Sequence, residues 1–127
     1  MSVKPIKIPG PGHPITVEPA ARRILVKLGD HIIADSTNAL VLQEASYPAV
    51  YYIPRQDVDM AALERSSHSS HCPYKGDASY FSILEGGDRS RNAVWSYEDP
   101  HAAVSAIKDF LAFYPDRVDS IDALDEA

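Results

Sequence analysis

The sequence predicts an α+β domain that is mainly β: a small antiparallel sheet or open barrel of about six strands, packed by one C-terminal amphipathic helix. Short apolar runs with the alternation of strands, separated by turn residues, occupy most of the chain. The ten prolines are more than an all-helical bundle tolerates inside its helices. Apolar residues at helical spacing occur near the C-terminus, after Pro100. Together these observations favour a strand-rich fold with a single helix.

The first hairpin is the strongest local prediction. Residues 23–28 place Ile24, Val26 and Leu28 on one face of a half-buried strand. Gly29 then suits the first position of a two-residue turn, which requires a positive φ. Residues 31–34 are rich in β-branched side chains and supply the returning strand.

Four further segments have the composition of strands, namely 39–42, 50–53, 78–84 and 92–97. A turn region at 86–88 pairs the last two segments as a second hairpin. Residues 60–63 are predicted to form a helical turn. Residues 66–71 (Ser-Ser-His-Ser-Ser-His) have no apolar periodicity and are predicted to be an exposed connection.

The C-terminal helix is predicted from about Pro100 to Phe113. Asp99 provides an N-cap, and a proline suits the first helical position. Four apolar residues follow at helical spacing, namely Val104, Ile107, Leu111 and Tyr114. Pro115 ends the helix because the residue before a proline is pushed out of the α region.

The chain is expected to fold as one domain with two less regular ends. Its 127 residues match the usual size of a single domain. Residues 1–21 are expected to form an extended arm, because Pro, Gly and Lys are frequent there. Residues 22–118 then form the globular unit, and 119–127 an acidic tail.

Net charge, cysteine content and the length of the apolar runs exclude several kinds of partner, bond and cellular location. The formal net charge is −6, whereas a surface built for phosphate backbones is basic, so we expect no nucleic-acid partner. Cys72 is the only cysteine, which excludes an intramolecular disulfide. The first residues lack the apolar stretch of a signal peptide, and no apolar run approaches the roughly 20 residues of a membrane helix. We therefore expect a cytoplasmic protein that does not span a membrane; the oligomeric state stays open.

Polar and aromatic residues concentrate in two segments, 51–59 and 71–80, which flank an irregular region. Loops held by strands are where binding groups usually lie. Arg55 and Lys75 are the best candidates to recognise a phosphate or carboxylate, because a guanidinium fork and an ammonium both bind anions. Tyr52, Tyr80 and Trp95 could supply apolar or stacking walls. The leading hypothesis is a small anionic ligand bound where the Arg55 loop meets the loop from Cys72 to Lys75.

Motifs in the same region resemble a known bacterial family. They occur in order over roughly residues 22–118: Ala-Asp-Ser-Thr at 34–37, Tyr-Ile-Pro-Arg at 52–55 with Asp-Val at 57–58, Cys-Pro-Tyr-Lys-Gly at 72–76 with Ala-Ser-Tyr at 78–80, Trp-Ser-Tyr at 95–97 with Pro100, Phe-Tyr at 113–114 and Arg-Val at 117–118. This pattern resembles domain of unknown function 427, a family that also carries a nucleotidyltransferase-like label. The resemblance implies no particular reaction, cofactor or catalytic residue.

Two other classes of function stay open. One is an enzyme that uses Cys72 as a nucleophile, activated by nearby cations, or Asp57 in acid–base or metal-assisted transfer. A nucleotidyltransferase would require carboxylates that hold two metal ions. Asp57 and Asp59 could share a face and supply them. The sequence contains no Gly-Ser dipeptide, however, to seat a triphosphate. His68, His71 and Cys72 lack a paired second cluster, so no metal site is predicted. The other class is a protein-interaction module that uses exposed aromatic residues such as Tyr51 or Tyr74.

Each candidate also has a structural interpretation. Arg55 could simply pair with Asp57 or Glu44, and Asp57 could be a turn carboxylate. A lone cysteine is often a small buried apolar residue. Trp95 and Tyr97 could belong to the core of a buried strand.

Overall fold

The computed structural model describes residues 5–125 and is mainly β. Within these residues ten strands form three small antiparallel sheets that do not close into a barrel. The strands are β1 (Ile15–Pro19), β2 (Arg23–Leu28), β3 (His31–Ser36), β4 (Leu40–Glu44), β5 (Val50–Tyr52), β6 (Leu63–Cys72), β7 (Gly76–Ile83), β8 (Val94–Ser96), β9 (Leu111–Phe113) and β10 (Ser120–Leu124). The orders are β1-β4-β5, β10-β2-β3 and β6-β7-β8-β9.

Both predicted hairpins are present. In the first, β2 and β3 pair on either side of a turn in which Gly29 has a φ of 59°. This conformation is strained for a residue with a Cβ and free for glycine. In the second, β7 pairs with β8, and a 3₁₀ segment at Leu84–Ser90 joins them. The predicted helical turn near residue 60 is also present, as a 3₁₀ turn at Met60–Ala62.

Backbone hydrogen bonds between Ile53 and Leu111 connect two of the sheets. Each residue donates its N–H to the carbonyl oxygen of the other, at 2.8 Å. Because Ile53 follows β5 and Leu111 begins β9, this pair brings the edge of the β1-β4-β5 sheet to the edge of the four-stranded sheet. The bridge is isolated, so a longer ladder between the two strands does not form.

The four-stranded sheet separates two apolar clusters. Successive strand residues point to opposite faces, so Phe81, Val94 and Phe113 pack on one side with the β2-β3 hairpin. Tyr80 and Ala112 pack on the other side with residues of β4 and β5. Each side chain on this sheet is therefore assigned to a face by its position along the strand.

The predicted C-terminal helix from Pro100 to Phe113 is wrong. The segment contains a 3₁₀ stretch at Ala102–Ile107 that is interrupted at Val104, and it ends in strand β9. Val104 and Ile107 are fully buried, as their apolar spacing predicts. Asp109 then adopts a φ of 64°, which reverses the chain so that Leu111 can pair with Ser96 and Ile53. Strand pairing thus replaces the helical ladder.

The estimate of about six strands was too low, because β1, β6, β9 and β10 lie in segments that were predicted as arm, connection, helix and tail. Residues 66–71, predicted as an exposed connection, lie in β6, whose hydroxyl-rich side chains are mostly exposed. Its stability comes from the backbone ladder with β7 and not from apolar burial. β1 and β10 lie outside residues 22–118, yet they pair with β4 and β2 inside that range. Residues 1–4 of the expected arm, and the last two of the tail, fall outside the described part of the chain.

Within residues 5–125, no helix reaches the length and apolar character needed to cross a bilayer.

Candidate functional site

A cavity of about 210 Å³ lies on the face of the four-stranded sheet that carries Tyr80 and Trp95. β4, β5 and the loop between them provide its other wall. Aromatic side chains dominate the lining, which consists of Leu42, Glu44, Tyr47, Pro48, Val50, Tyr52, Lys75, Tyr80, Trp95, Tyr97 and Tyr114. Four of the predicted ligand-binding residues are therefore brought together here: Tyr52, Lys75, Tyr80 and Trp95. We call this space the Lys75 cavity.

The strand register places the aromatic residues of the cavity. Tyr80 on β7 is the direct partner of Trp95 on β8, so both side chains leave the same face of the sheet. Tyr97 lies two residues after Trp95 and returns to that face. From β5, the Tyr52 hydroxyl accepts a hydrogen bond of 3.2 Å from the Trp95 indole N–H. This bond connects the two walls of the cavity.

Lys75 contributes the cation of the site. It lies in the turn between β6 and β7, and its ammonium forms an ion pair with the carboxylate of Glu44 at the end of β4. Only 12% of the Lys75 side chain and 14% of the Glu44 side chain are exposed. The second oxygen of Glu44 lies 2.8 Å from Nε2 of His13. Both carboxylate oxygens are thus already engaged.

Glu44 stays ionised in this setting. Burial acts to raise the pKa of Glu44, but the hydrogen bonds from Lys75 and His13 outweigh it, so the pKa lies below its ordinary value. The cavity wall therefore holds a fixed pair of opposite charges. In a partly desolvated setting such a pair is ordered more firmly than an exposed one.

Three phenols of the cavity, those of Tyr52, Tyr97 and Tyr114, are neutral near pH 7. Burial raises the pKa of Tyr52 and of Tyr97, and it raises the pKa of Tyr114 to about 12. The Tyr80 hydroxyl shares hydrogen bonds with the Ser70 hydroxyl at 2.9 Å and the Tyr114 hydroxyl at 3.5 Å. Neutral phenols can donate and accept hydrogen bonds, so they can orient a polar ligand without changing its charge.

A larger groove of about 780 Å³ adjoins the Lys75 cavity. Its lining comes mainly from β5, β9, β10 and the loops beside them. The two spaces share the lining residues Tyr47, Pro48, Val50, Trp95 and Tyr114. We call the larger space the β10 groove.

Arg55 does not reach the Lys75 cavity, which corrects the prediction of a shared pocket. Its guanidinium lies 5.6 Å from the ring of Phe81 and 3.5 Å from the Ser96 hydroxyl. Phe81 and Ser96 belong to the opposite face of the sheet from Tyr80 and Trp95. Arg55 and Lys75 therefore lie on opposite faces, although their loops were expected to meet.

Arg55 instead joins a cluster centred on Glu98. That carboxylate accepts two hydrogen bonds from Arg65, at 3.0 and 2.8 Å, and one of 3.3 Å from Arg55. The bonds from Arg65, the strongest influence, lower the pKa of Glu98 to about 2. Since Arg55 pairs with Glu98, neither Asp57 nor Glu44 is its partner here.

Asp57 and Cys72, the residues of the enzyme hypothesis, also lie apart from the cavity lining. The Asp57 carboxylate accepts a 2.6 Å hydrogen bond from the Ser36 hydroxyl. Asp59 contacts Nε2 of His31 at 2.7 Å, so the two carboxylates have separate partners. Cys72 ends β6, is partly buried, and packs against the apolar cluster around Tyr52 and Tyr97.

Among residues 5–125, no group of three or more His, Cys, Asp and Glu side chains is placed to hold a metal ion.

Three of the cavity residues that sequence reasoning did not assign to the site show why it fell short: Tyr97, Tyr114 and Glu44. Tyr97 carried a signal, since it lies at strand spacing from Trp95. Tyr114 was counted in the helical spacing and placed at the end of the predicted helix, whereas in the structure it follows β9. Glu44 is 31 residues from Lys75 in the sequence and lies in a different sheet from the strands that flank Lys75, so no local pattern could identify it as the partner.

Comparisons with known proteins identify a family but no activity. No curated protein sequence matches the chain. Residues 16–123 match the family model labelled NTP_transf_9, whose description is domain of unknown function (DUF427). Because this match spans well over half of the chain and includes every residue that lines the Lys75 cavity, the protein belongs to the DUF427 family.

Proposed function

We propose that the protein binds a small ligand with a carboxylate or phosphate group in the Lys75 cavity. The observation that carries the proposal is the position of a largely buried ammonium among six aromatic side chains in one cavity. Lys75 would bind the anionic group, and Tyr52, Tyr80 and Trp95 would surround the rest of the ligand.

The hydrogen-bonding capacity of the Lys75–Glu44 pair favours an anion over a cation. An ammonium has three N–H donors, and Glu44 takes one of them, so donors remain for a ligand. Both oxygens of Glu44 already have partners, in Lys75 and His13. A cationic ligand would have to displace Lys75, whereas an anion would add to the existing arrangement.

The size of the cavity limits the ligand. At about 210 Å³ it is smaller than a typical pocket for a drug-sized molecule, which is roughly 300–1,000 Å³. Acetate, inorganic phosphate and benzoate are suitable probes. The aromatic walls favour benzoate, because its ring can stack while its carboxylate reaches Lys75.

The test uses the intrinsic fluorescence of Trp95, the single tryptophan of the chain, which lines the cavity. We expect benzoate to change this fluorescence saturably. Lys75→Met should weaken binding by about tenfold or more, because it removes a charge-assisted hydrogen bond. Glu44→Gln should leave the affinity unchanged or raise it, since it removes a negative charge beside the ligand. Arg55→Met, on the other face of the sheet, is the matched loss of a cation and should bind like the native protein.

Thermal unfolding of each variant shows whether it remains folded at the titration temperature. If Lys75→Met is folded and binds benzoate as well as the native protein does, the proposal is wrong. It is equally wrong if Arg55→Met weakens binding while Lys75→Met does not, because the cation that matters would then lie on the opposite face.

A further inference from the structure

The β10 groove continues the Lys75 cavity with walls of a different character. Val50, Ile53, Phe113 and Ile121 provide apolar side chains along it, and the five residues shared with the cavity form the boundary between the two spaces. At about 780 Å³ the groove holds considerably more than the cavity does. A ligand bound at Lys75 therefore has an apolar path leading away from its charged end.

Charge differs between the two ends of this path. Lys75 lies in the cavity, whereas Asp119 and Asp122 lie at the β10 end of the groove. The Asp119 carboxylate interacts with Arg89 at 2.6 Å and with the Gly29 N–H at 2.6 Å, which hold it in place. A ligand with an anionic group at each end would meet these carboxylates, so the arrangement fits a molecule with one anionic end only.

We infer that the ligand is an amphiphile, with an anionic head at Lys75 and an apolar chain along the β10 groove. This inference rests on the proposed function and specifies its ligand class. Burial of each methylene on the groove wall would add affinity, and the carboxylates of β10 would set the direction in which the molecule lies.

The experiment is a titration of the full chain with straight-chain carboxylates of increasing length, followed through Trp95, which lines both spaces. Acetate, hexanoate, octanoate and decanoate serve as probes below their micelle concentrations. We expect the affinity to rise by up to about fourfold per added methylene until the groove is filled. Decylammonium, with the same chain and the opposite charge, should bind far more weakly than decanoate.

Ala49→Glu tests the groove separately from the cavity. Ala49 is exposed and lines the groove but not the cavity, so its replacement should not disturb the core or Lys75. The new carboxylate should reduce decanoate affinity by about tenfold, because the chain would lie against a charge. Acetate affinity should stay unchanged. Ala49→Ser is the control for the change of side chain without charge.

The outcomes separate the two proposals. If benzoate and acetate bind in a Lys75-dependent manner but affinity does not grow with chain length, the amphiphile inference is overturned and the proposed function stands. If no carboxylate of any length binds, both fail. If decylammonium binds as tightly as decanoate, the apolar groove is used but the anionic head at Lys75 is refuted.

Discussion

Glu44 and Lys75 form an ion pair in the wall of the cavity although 31 residues separate them in the sequence. Two hairpin-like elements have to assemble before these side chains can meet. Glu44 ends β4, and Lys75 lies in the turn that connects β6 and β7. The charged part of the site is therefore a product of the tertiary fold, and its loss should affect folding as well as binding.

Removing one partner of this pair should destabilise the protein more than removing both charges. Lys75→Met leaves the Glu44 carboxylate largely buried without its ammonium, and we expect a loss of about 3 kcal/mol in the free energy of unfolding. The double variant Lys75→Met, Glu44→Gln removes the uncompensated charge and should recover part of this loss. Urea unfolding at neutral pH measures both values. Equal stability of the single and double variants would contradict the interpretation.

The hairpins could be predicted from sequence because local signals agree there. Alternating apolar residues and Gly29 both indicate β2 and β3, and the φ of 59° at this glycine explains the turn. In the segment after Pro100 the local signals also agreed, but on a helix that the tertiary fold does not form. Val104 and Ile107 are buried as predicted, but the same spacing accommodates a 3₁₀ stretch followed by a strand. Pairing of Leu111 with Ile53 and Ser96 decides between them, and it depends on distant residues.

The candidate site was predictable to a similar extent. Aromatic and cationic residues dense in two segments identified Lys75, Tyr52 and Tyr80, and Trp95 was added as a further aromatic wall; all four line one cavity. The same density wrongly grouped Arg55 with them. Adjacent residues of a strand, such as Tyr80 and Phe81, point to opposite faces of the sheet. The face on which Arg55 packs is therefore settled by strand register and not by composition.

Glu98 should support stability at neutral pH and lose this effect in acid. Its pKa is lowered from 4.5 to about 2, mainly by the bonds from Arg65. A group with a lowered folded-state pKa stabilises the protein above its unfolded-state pKa, and the contribution disappears as the pH falls from about 4.5 towards 2. Glu98→Gln should cost about 1 kcal/mol at neutral pH, near the upper end for a partly exposed pair.

Urea unfolding between neutral pH and about pH 3 checks this expectation. The stability difference between the native protein and Glu98→Gln should shrink as the pH falls. Glu64→Gln, which changes a carboxylate next to Arg65 on the exposed strand β6, is the matched control. A difference that persists unchanged in acid would show that the effect of Glu98→Gln is not electrostatic.

His31 should give stability with the opposite dependence on pH. Its ring nitrogens contact the carboxylates of Glu85 and Asp59, and the hydrogen bond with Glu85 raises its pKa above the ordinary 6.5, with a further contribution from Asp59. A raised folded-state pKa stabilises the protein below the unfolded-state value, and the effect is lost as the pH rises through the folded-state pKa. Stability should therefore decline as the pH rises above about 6.5, and His31→Gln should remove this part of the decline.

Titration of the His31 ring by NMR measures the shift directly. Glu85→Gln and Asp59→Asn should each lower its pKa, and Glu85→Gln should have the larger effect. Asp30→Asn removes a carboxylate from the neighbouring turn and serves as the control. Titration of His31 at or below 6.5 in the native protein would be incompatible with the two contacts.

Ala45→Gly should stabilise the protein, because the backbone of Ala45 has a φ of 47°. This left-handed conformation costs a residue with a Cβ about 1–2 kcal/mol and costs glycine little. After subtraction of the larger unfolded-state entropy of glycine, we expect a net gain of up to about 1 kcal/mol. Ala45 also turns the chain from Glu44 into the loop that carries Tyr47 and Pro48, so benzoate affinity reports whether the site is preserved.

Ala49→Gly in the same loop is the matched control. Ala49 is exposed and is not among the positive-φ residues of the described chain. This substitution should therefore destabilise the protein by about 0.5 kcal/mol. Changes of the same sign in both variants would show that strain at Ala45 is not the cause.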